Sequence, residues 1–233
     1  CDIGYGIVDE HTEPMVVSSR MNEIFFHARN ALYAKIDDFV ISEICKKFIQ
    51  INTNAIHRDS YISNPQLGEE IHKDDILNIK KIFSENHFNG KVQFVISDGL
   101  NANSINEHLA SILPELKKKI YEADISYNPI EIIIKNGRVR AGYHIGQIIN
   151  PEILIHFIGE RPGTGLNTLS AYITYGRDKI GKCIFSSAMD HSYTSAVCGI
   201  HPYGKSYKNA IKDIISILNE AIITGKTGVF EEK

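Results

Sequence analysis

The chain has 233 residues, 43% of them hydrophobic and 9% aromatic, and its formal net charge is −3. This suffices for one large domain, or for one ordinary domain with a smaller appendage, and argues against intrinsic disorder. A slightly acidic chain has no overall attraction for nucleic acids or anionic membranes, and no apolar run approaches the ~20 residues of a membrane span. We therefore expect no nucleic-acid partner and no membrane attachment.

The four cysteines form neither a Cys-x-x-Cys pair nor a spaced framework. Reduced thiols in the cytoplasm are the simplest interpretation, and the printed sequence opens without a signal-peptide pattern. The ten histidines never stand at zinc-site spacing with glutamate or cysteine. We therefore predict a cytoplasmic protein without a metal site.

The first part of the chain is predicted to be mainly helical. After an irregular segment over residues 1–20, apolar residues recur at three- and four-residue spacing, which predicts a helix over about 21–50. A polar, turn-rich segment over 52–64 precedes a second predicted helix over 68–85, with apolar residues along one face. Together these elements predict a helical N-terminal domain over residues 1–88.

The pattern changes after Asn89-Gly90, where short β-rich runs begin to alternate with helical segments. We predict strands over 91–96, 130–135, 152–158, 169–175 and 195–200, and helices over 104–122, 141–149 and 207–224. This alternation predicts an α/β domain over 89–233, with a Rossmann-like, mostly parallel sheet covered on both faces.

Parallel sheets bind ligands at the carboxyl ends of their strands. Two acidic residues stand at such ends, Asp98 after the strand ending at Ile96 and Glu160 after the strand ending at Ile158. Asp98 could serve a site, or it could equally cap the helix after Asn103. The position of these loops predicts where a ligand binds, but it does not indicate which ligand.

The run Gly199–Ser206 matches the G-x-x-x-x-G-K-[ST] pattern, whose backbone amides and lysine bind phosphates in nucleotide-binding proteins. It lies between a predicted strand and a predicted helix, as a P-loop would. However, only one helix follows it, and composition alone would produce such a match in roughly one chain in a hundred. A P-loop nucleotide-binding protein remains an alternative.

Between residues 55 and 225, a series of short motifs stands in a fixed order: Asn64-Pro65-Gln66-Leu67-Gly68, Ser97-Asp98-Gly99-Leu100, Gly137-Arg138-Val139, His144-Ile145-Gly146, Ile158-Gly159-Glu160-Arg161-Pro162-Gly163, Leu169–Tyr175, and Ile200-His201-Pro202 with Gly204. In order and spacing the set resembles the small (light) subunit of ethanolamine ammonia-lyase. The resemblance also explains the P-loop-like run without a nucleotide. Residues 1–50 match weakly, with only Ala28-Arg29-Asn30-Ala31 similar.

The resemblance implies a hetero-oligomeric lyase whose cofactor is adenosylcobalamin. A separate large catalytic subunit would hold ethanolamine and carry the radical chemistry, which yields acetaldehyde and ammonia. This chain would cap one side of the cofactor at the interface and would be inactive alone, since in such enzymes the cofactor carries the chemistry and the protein binds and orients it. The resemblance leaves open whether the complex lies inside a bacterial microcompartment.

The resemblance also implies three cofactor-binding residues. Val139 would pack on the corrin rim, Glu160 would accept hydrogen bonds from the cofactor, and Ala196 would allow close backbone approach. For Glu160, pairing with Arg161 or tying down its own turn is the alternative. The family often has a cysteine at the position of Ala196, and here Cys198 stands two residues further on. Together with the weak match of residues 1–50, Ala196 keeps open a further alternative, a non-catalytic paralogue that acts as an assembly partner.

Overall fold

The computed structural model describes residues 14–163 and 165–229, and for residues 14–17 only the helical backbone. Its centre is a six-stranded sheet with the order β1-β3-β2-β4-β5-β6. The strands are β1 (Phe48–Asn52), β2 (Val92–Ser97), β3 (Glu131–Lys135), β4 (Ile153–Gly159), β5 (Leu169–Tyr175) and β6 (Thr194–Ile200).

Strands β1, β3, β2 and β4 pair in parallel, whereas β5 pairs antiparallel with β4 and with β6. The change of direction follows from the short connection over residues 160–168, between the end of β4 at Gly159 and the start of β5 at Leu169. A parallel crossover needs about a dozen residues or more, so β5 returns antiparallel. The sheet is therefore mostly parallel, with an antiparallel edge.

Helices cover both faces of the sheet. They are α1 (Pro14–Tyr33), α2 (Asp38–Ile44), α3 (Arg58–Ser63), α4 (Lys73–Asn86), α5 (Ala102–His108), α6 (Leu113–Glu122), α7 (Val139–Ile149) and α8 (Tyr207–Thr224). One apolar core lies between the sheet and α2, α5, α6 and α8, and a second lies between the opposite face and α4 and α7. The predicted α/β class and the covering of both faces are confirmed. The Rossmann-like description stays a prediction.

Beyond residue 89, all five predicted strands are present within about one residue, and the predicted closing helix coincides with α8. The helix predicted over 104–122 is divided into α5 and α6 by a 3₁₀ turn at Leu109–Ser111. Pro114 lies in the first turn of α6. Proline fits there because the first helical amides need no partner, whereas in a helix interior its ring clashes with the preceding turn.

The predicted helix over 21–50 is wrong in its second half. Helix α1 ends at Tyr33, α2 is short, and Phe48–Asn52 forms the edge strand β1, which pairs with β3. The alternating burial of β1 is that of a strand, with Ile49 and Ile51 turned into the core. The segment 14–20, predicted to be irregular, belongs to α1, and residues 1–13 lie outside the described part. The predicted division at residues 88 and 89 stays a prediction.

Candidate functional site

A cavity of about 420 Å³ opens at the carboxyl end of β4. The β2–α5 turn, the start of α7 and the neighbouring strands β5 and β6 surround it. Val139 and Glu160, two of the three predicted cofactor-binding residues, line it, while Ala196 does not. The structure therefore brings two of the three together at the edge where parallel sheets bind ligands.

A larger cavity, of about 600 Å³, lies at the opposite ends of the parallel strands. Its wall is held by the chain's own contacts, since the amides of Glu152 and Ile153 donate to the Lys91 carbonyl and Arg177 donates to the Asn150 carbonyl at 2.6 Å. Apart from Tyr175 at the end of the antiparallel β5, the cavity lies at the amino ends of β2 and β4, where parallel sheets do not gather ligands. We therefore regard the smaller cavity as the candidate site.

Two glycines let the floor of the cavity close. Gly99 has a positive φ of 55°, and a Cβ there would overlap the Gly159 carbonyl. A Cβ on Gly159 would in turn overlap the backbone oxygen of Asn101. The Leu100 amide donates to the Gly159 carbonyl at 3.1 Å. The β2–α5 turn thus packs directly on the end of β4, which explains why both segments carry glycine.

Asp98 organises the turn between β3 and α7. Its buried carboxylate accepts hydrogen bonds from the amides of Asn136 (3.0 Å) and Gly137 (3.1 Å) and pairs with Arg58 at 3.2 Å. Burial raises the pKa of this carboxyl, and Arg58 and the two amides oppose the rise. Asp98 does not cap α5, whose N-cap is Asn101, and it does not line the candidate cavity. Its role is to position the segment that carries Val139.

Tyr61 and Arg138 form one wall of the cavity, and neither of them was predicted from the sequence as a site residue. The Tyr61 hydroxyl donates to the Gly137 carbonyl at 3.0 Å, and burial raises the pKa of this phenol. The guanidinium of Arg138 lies over the Tyr61 ring, 4.3 Å from its centroid. The only available signal was the position of Arg138 inside the Gly137-Arg138-Val139 motif, because Tyr61 lies in a stretch that reads as a polar turn.

Glu160 joins three strands. Its carboxylate accepts hydrogen bonds from the Thr168 hydroxyl (3.0 Å), the Ser170 hydroxyl and the Gly199 amide (2.9 Å). These donors lie before and within β5 and at the end of β6. The turn-tying alternative for Glu160 is thus present in the structure. An ionised carboxylate has about four acceptor positions, so Glu160 can still receive one hydrogen bond from a ligand.

Ala196 and Cys198 lie on β6, on either side of the buried Val197. Alternate residues of a strand share a face, so both exposed side chains project from the same face of the sheet. Ala196 pairs in register with Tyr172 of β5. Tyr172 and Cys198 line the cavity, and burial, together with the neighbouring thiol, raises the pKa of Tyr172 to about 12. The cavity therefore has a thiol, two residues beyond the predicted position.

The run Gly199–Ser206 does not have the geometry of a phosphate loop. The Lys205 amide donates a hydrogen bond to the Gly199 carbonyl. The Gly204 amide donates to the His201 carbonyl, and the His201 amide donates to the Lys205 carbonyl. The Lys205 ammonium pairs with Asp213, and the Ser206 hydroxyl caps α8. A phosphate loop needs free amides that point at the anion. Here these amides and the lysine are engaged within the chain, which argues against the nucleotide alternative.

Comparison with protein families identifies the family of the chain. The family model of the ethanolamine ammonia-lyase light chain matches residues 10–230. The chain belongs to this family.

Curated relatives agree with the light-chain family. An ethanolamine ammonia-lyase small subunit from Pseudomonas fluorescens is 26% identical over 87% of this chain and 72% of its own length. Those from Listeria innocua and Clostridioides difficile are both 30% identical, over 64% and 75% of this chain. The matched segments span only 49% and 59% of these two relatives. The chain thus corresponds to about half to three quarters of such a subunit.

Three further observations concern the described part of this light-chain family member. Within residues 14–163 and 165–229, no three His, Cys, Asp or Glu side chains gather in a way that could hold a metal ion. The helices of the same residues include none with the length and hydropathy of a membrane span. Cys45, Cys183 and Cys198 are free thiols.

Proposed function

We propose that the chain is the small subunit of an adenosylcobalamin-dependent ethanolamine ammonia-lyase and helps to bind cobalamin at the interface with the large catalytic subunit. The observation that carries the proposal is the cavity at the end of β4, which brings Val139 and Glu160 together in a chain of the light-chain family. Ethanolamine would be bound by the large subunit.

The chemistry of the cavity suits a corrinoid. Cobalamin presents an apolar ring rim, amide side chains and one phosphodiester. Leu100, Val139 and Ile158 offer apolar contact, Glu160 offers an acceptor, and Arg138 offers a buried Nε without a hydrogen-bond partner. The cavity is much smaller than a corrinoid, so this chain would hold one edge and the partner subunit the rest.

When bound, adenosylcobalamin supplies the homolysis of the cobalt–carbon bond that starts hydrogen abstraction. The residues of this chain would bind and orient the ring. Val139 and Ile158 would exclude water from the rim of the ring, and Glu160 would accept a hydrogen bond from a donor group at its periphery. Ala196 stays a proposed contact: it lies on the face that holds Cys198 and would allow close approach of the backbone.

Exposed apolar surface supports a partner subunit. On α1, Phe25 and Phe26 are 63% and 58% exposed. Ala196 and Cys198 expose part of the face of β6 beside the cavity. Large apolar side chains that stay exposed on neighbouring positions mark interaction surfaces. We propose that the large subunit covers them in a cytoplasmic hetero-oligomer.

The test is reconstitution with the large subunit from the same genome. We expect the two chains to co-purify, to bind adenosylcobalamin in a red-orange complex, and to release acetaldehyde from ethanolamine. Each chain alone serves as the control and should release none. Acetaldehyde from this chain alone would contradict the subunit assignment. A stable complex that binds no cobalamin would favour the non-catalytic assembly paralogue.

A further inference from the structure

Arg138 has a charge and a donor that the described part of the chain leaves unused. Its Nε is buried without a hydrogen-bond partner, and its Nη2 reaches the Tyr61 carbonyl only at 3.4 Å. No carboxylate of residues 14–163 and 165–229 forms an ion pair with it. A buried donor without a partner is unfavourable unless something else supplies an acceptor.

The neighbouring Arg58 differs from Arg138 in having a carboxylate partner, although in the described part of the chain its Nη2 is likewise buried without a hydrogen-bond partner and it does not line the cavity. Arg58 also lies over the Tyr61 ring, at 4.7 Å, but its charge is paired with Asp98 and it donates to Asn136 at 3.1 Å. Two guanidinium groups thus contact one aromatic ring, and Asp98 pairs with only one of them. The surplus positive charge lies on Arg138, the one that lines the cavity.

The position of Arg138 is fixed before any ligand arrives. Its backbone amide donates to the Gly68 carbonyl at 2.8 Å, and its guanidinium stacks on Tyr61. Tyr61 is itself fully buried and hydrogen-bonded to Gly137. A planar guanidinium that is stacked and held offers its donors in a fixed direction, which a lysine cannot do. Such preorganisation is typical of a binding residue.

We propose that Arg138 is a further cofactor-binding residue of the cavity and donates hydrogen bonds to an oxygen acceptor at the cobalamin periphery. The inference rests on the proposed function and deepens it. Cobalamin carries two kinds of such acceptor, the phosphodiester of its nucleotide loop and the carbonyls of its amide side chains. Arg138 and Glu160 would then bind opposite kinds of group, an acceptor and a donor, in one cavity.

The experiment uses the complex with the large subunit and measures cobalamin binding by absorbance titration, with melting temperatures recorded without cofactor. We expect Arg138→Met to weaken binding by about 10- to 100-fold, because a hydrogen bond from a charged donor is lost. Lys212→Met, which removes one positive charge from α8 on the other face of the sheet, is the matched control and should bind normally. Unchanged affinity in Arg138→Met, with or without a lower melting temperature, overturns the inference.

Cobinamide, which lacks the nucleotide loop, separates the two acceptors. A loss of affinity for cobalamin alone assigns Arg138 to the phosphodiester, and a loss for both corrinoids assigns it to an amide carbonyl. Should Arg138→Met prevent assembly, Arg138→Lys and Arg138→Gln take its place, and unchanged affinity in both rejects the role of Arg138. If the unmodified complex binds no cobalamin, the proposed function itself fails, which is a distinct result.

Discussion

The imidazole Nε2 of His156 lies 2.6 Å from the hydroxyl oxygen of Ser97, at a buried contact between β4 and β2. Helix α7 covers the ring so closely that a Cβ on Gly142 would lie 2.5 Å from its Nδ1. Burial lowers the pKa of His156 to about 3. The folded protein therefore holds a neutral histidine throughout the range in which a free imidazole becomes charged.

The burial of His156 predicts that acid lowers the stability of the folded protein. The pKa of His156 is near 6.5 in the unfolded chain and about 3 in the folded one. Between these values the unfolded state binds a proton that the folded state does not. The contribution of neutral His156 to the free energy of unfolding is therefore fully present above about pH 6.5. Below this pH the contribution of His156 falls by about 1.4 kcal/mol per pH unit.

We expect His156→Gln to remove this dependence, measured by urea unfolding at intervals from pH 7 to pH 4. The variant will be less stable at pH 7, and the difference from the unmodified protein should shrink as the pH falls. Asp98 and Glu131 act in the opposite sense, since burial raises their pKa values and acid then favours the folded state. Their contribution cancels in the comparison. Parallel curves for the two proteins would contradict the prediction.

Replacing Glu160 should affect both stability and cofactor affinity. Glu160→Ala removes the acceptor for Thr168, Ser170 and Gly199 and should lower the free energy of unfolding by about 2 kcal/mol without cofactor. In the reconstituted complex it should also weaken cobalamin binding by about 10- to 100-fold. Val139→Ala, which removes only apolar contact, should cost about 1 kcal/mol of binding. A lower melting temperature with unchanged affinity in Glu160→Ala would restrict Glu160 to its role between the strands.

The close packing below the cavity predicts intolerance of a single methyl group. Gly159→Ala would place Cβ against the backbone oxygens of Asn101 and Asp98, which cannot move like a side chain. We expect a loss of about 3 kcal/mol or more, as for other severely overpacked buried sites. Gly181→Ala is the control, because it has a positive φ of 81° but no atom within 4 Å, and it should cost only about 1–2 kcal/mol. Chemical unfolding of both variants measures which of them loses more unfolding free energy. Equal losses in Gly159→Ala and Gly181→Ala would refute the packing argument.

The loop at Gly199–Ser206 should not bind nucleotides. Lys205 is paired with Asp213, so we expect calorimetry with magnesium–ATP to show no saturable heat. Lys205→Ala should cost at most about 1 kcal/mol of stability, since this pair is partly exposed. A micromolar dissociation constant that disappears in Lys205→Ala would restore the nucleotide alternative.

Local pattern was sufficient to predict most of the sheet. The strand β5 and the helix α8 have the predicted bounds, because alternation of apolar residues and helical spacing are properties of short segments. The strand β1 was missed, since its pairing with β3 joins residues about 80 positions apart and its apolar residues continue the spacing of the preceding helix. Tertiary context, which decides such cases, is not encoded in the local period.

The site was predictable only where a motif marked it. Val139 and Glu160 stand in two of the short motifs that resemble the light-chain family, and the structure places both at one cavity. Tyr61 and Arg138 meet there through stacking across about 77 residues of sequence, which no local signal announces. The thiol of Cys198 stands two positions beyond Ala196, the predicted site residue. A shift of two in a strand keeps the side chain on the same face, and this is why Cys198 reaches the cavity.

The Arg58–Asp98 pair has a consequence for any attempt to cut the chain near residue 89. A fragment that starts there would lose β1 and so open the hydrogen-bonding edge of β3, a template for aggregation. It would also keep Asp98 in the interior while losing the guanidinium that neutralises it, which is strongly unfavourable for a buried carboxylate. The segment from residue 89 onward would therefore need the preceding residues to stay soluble.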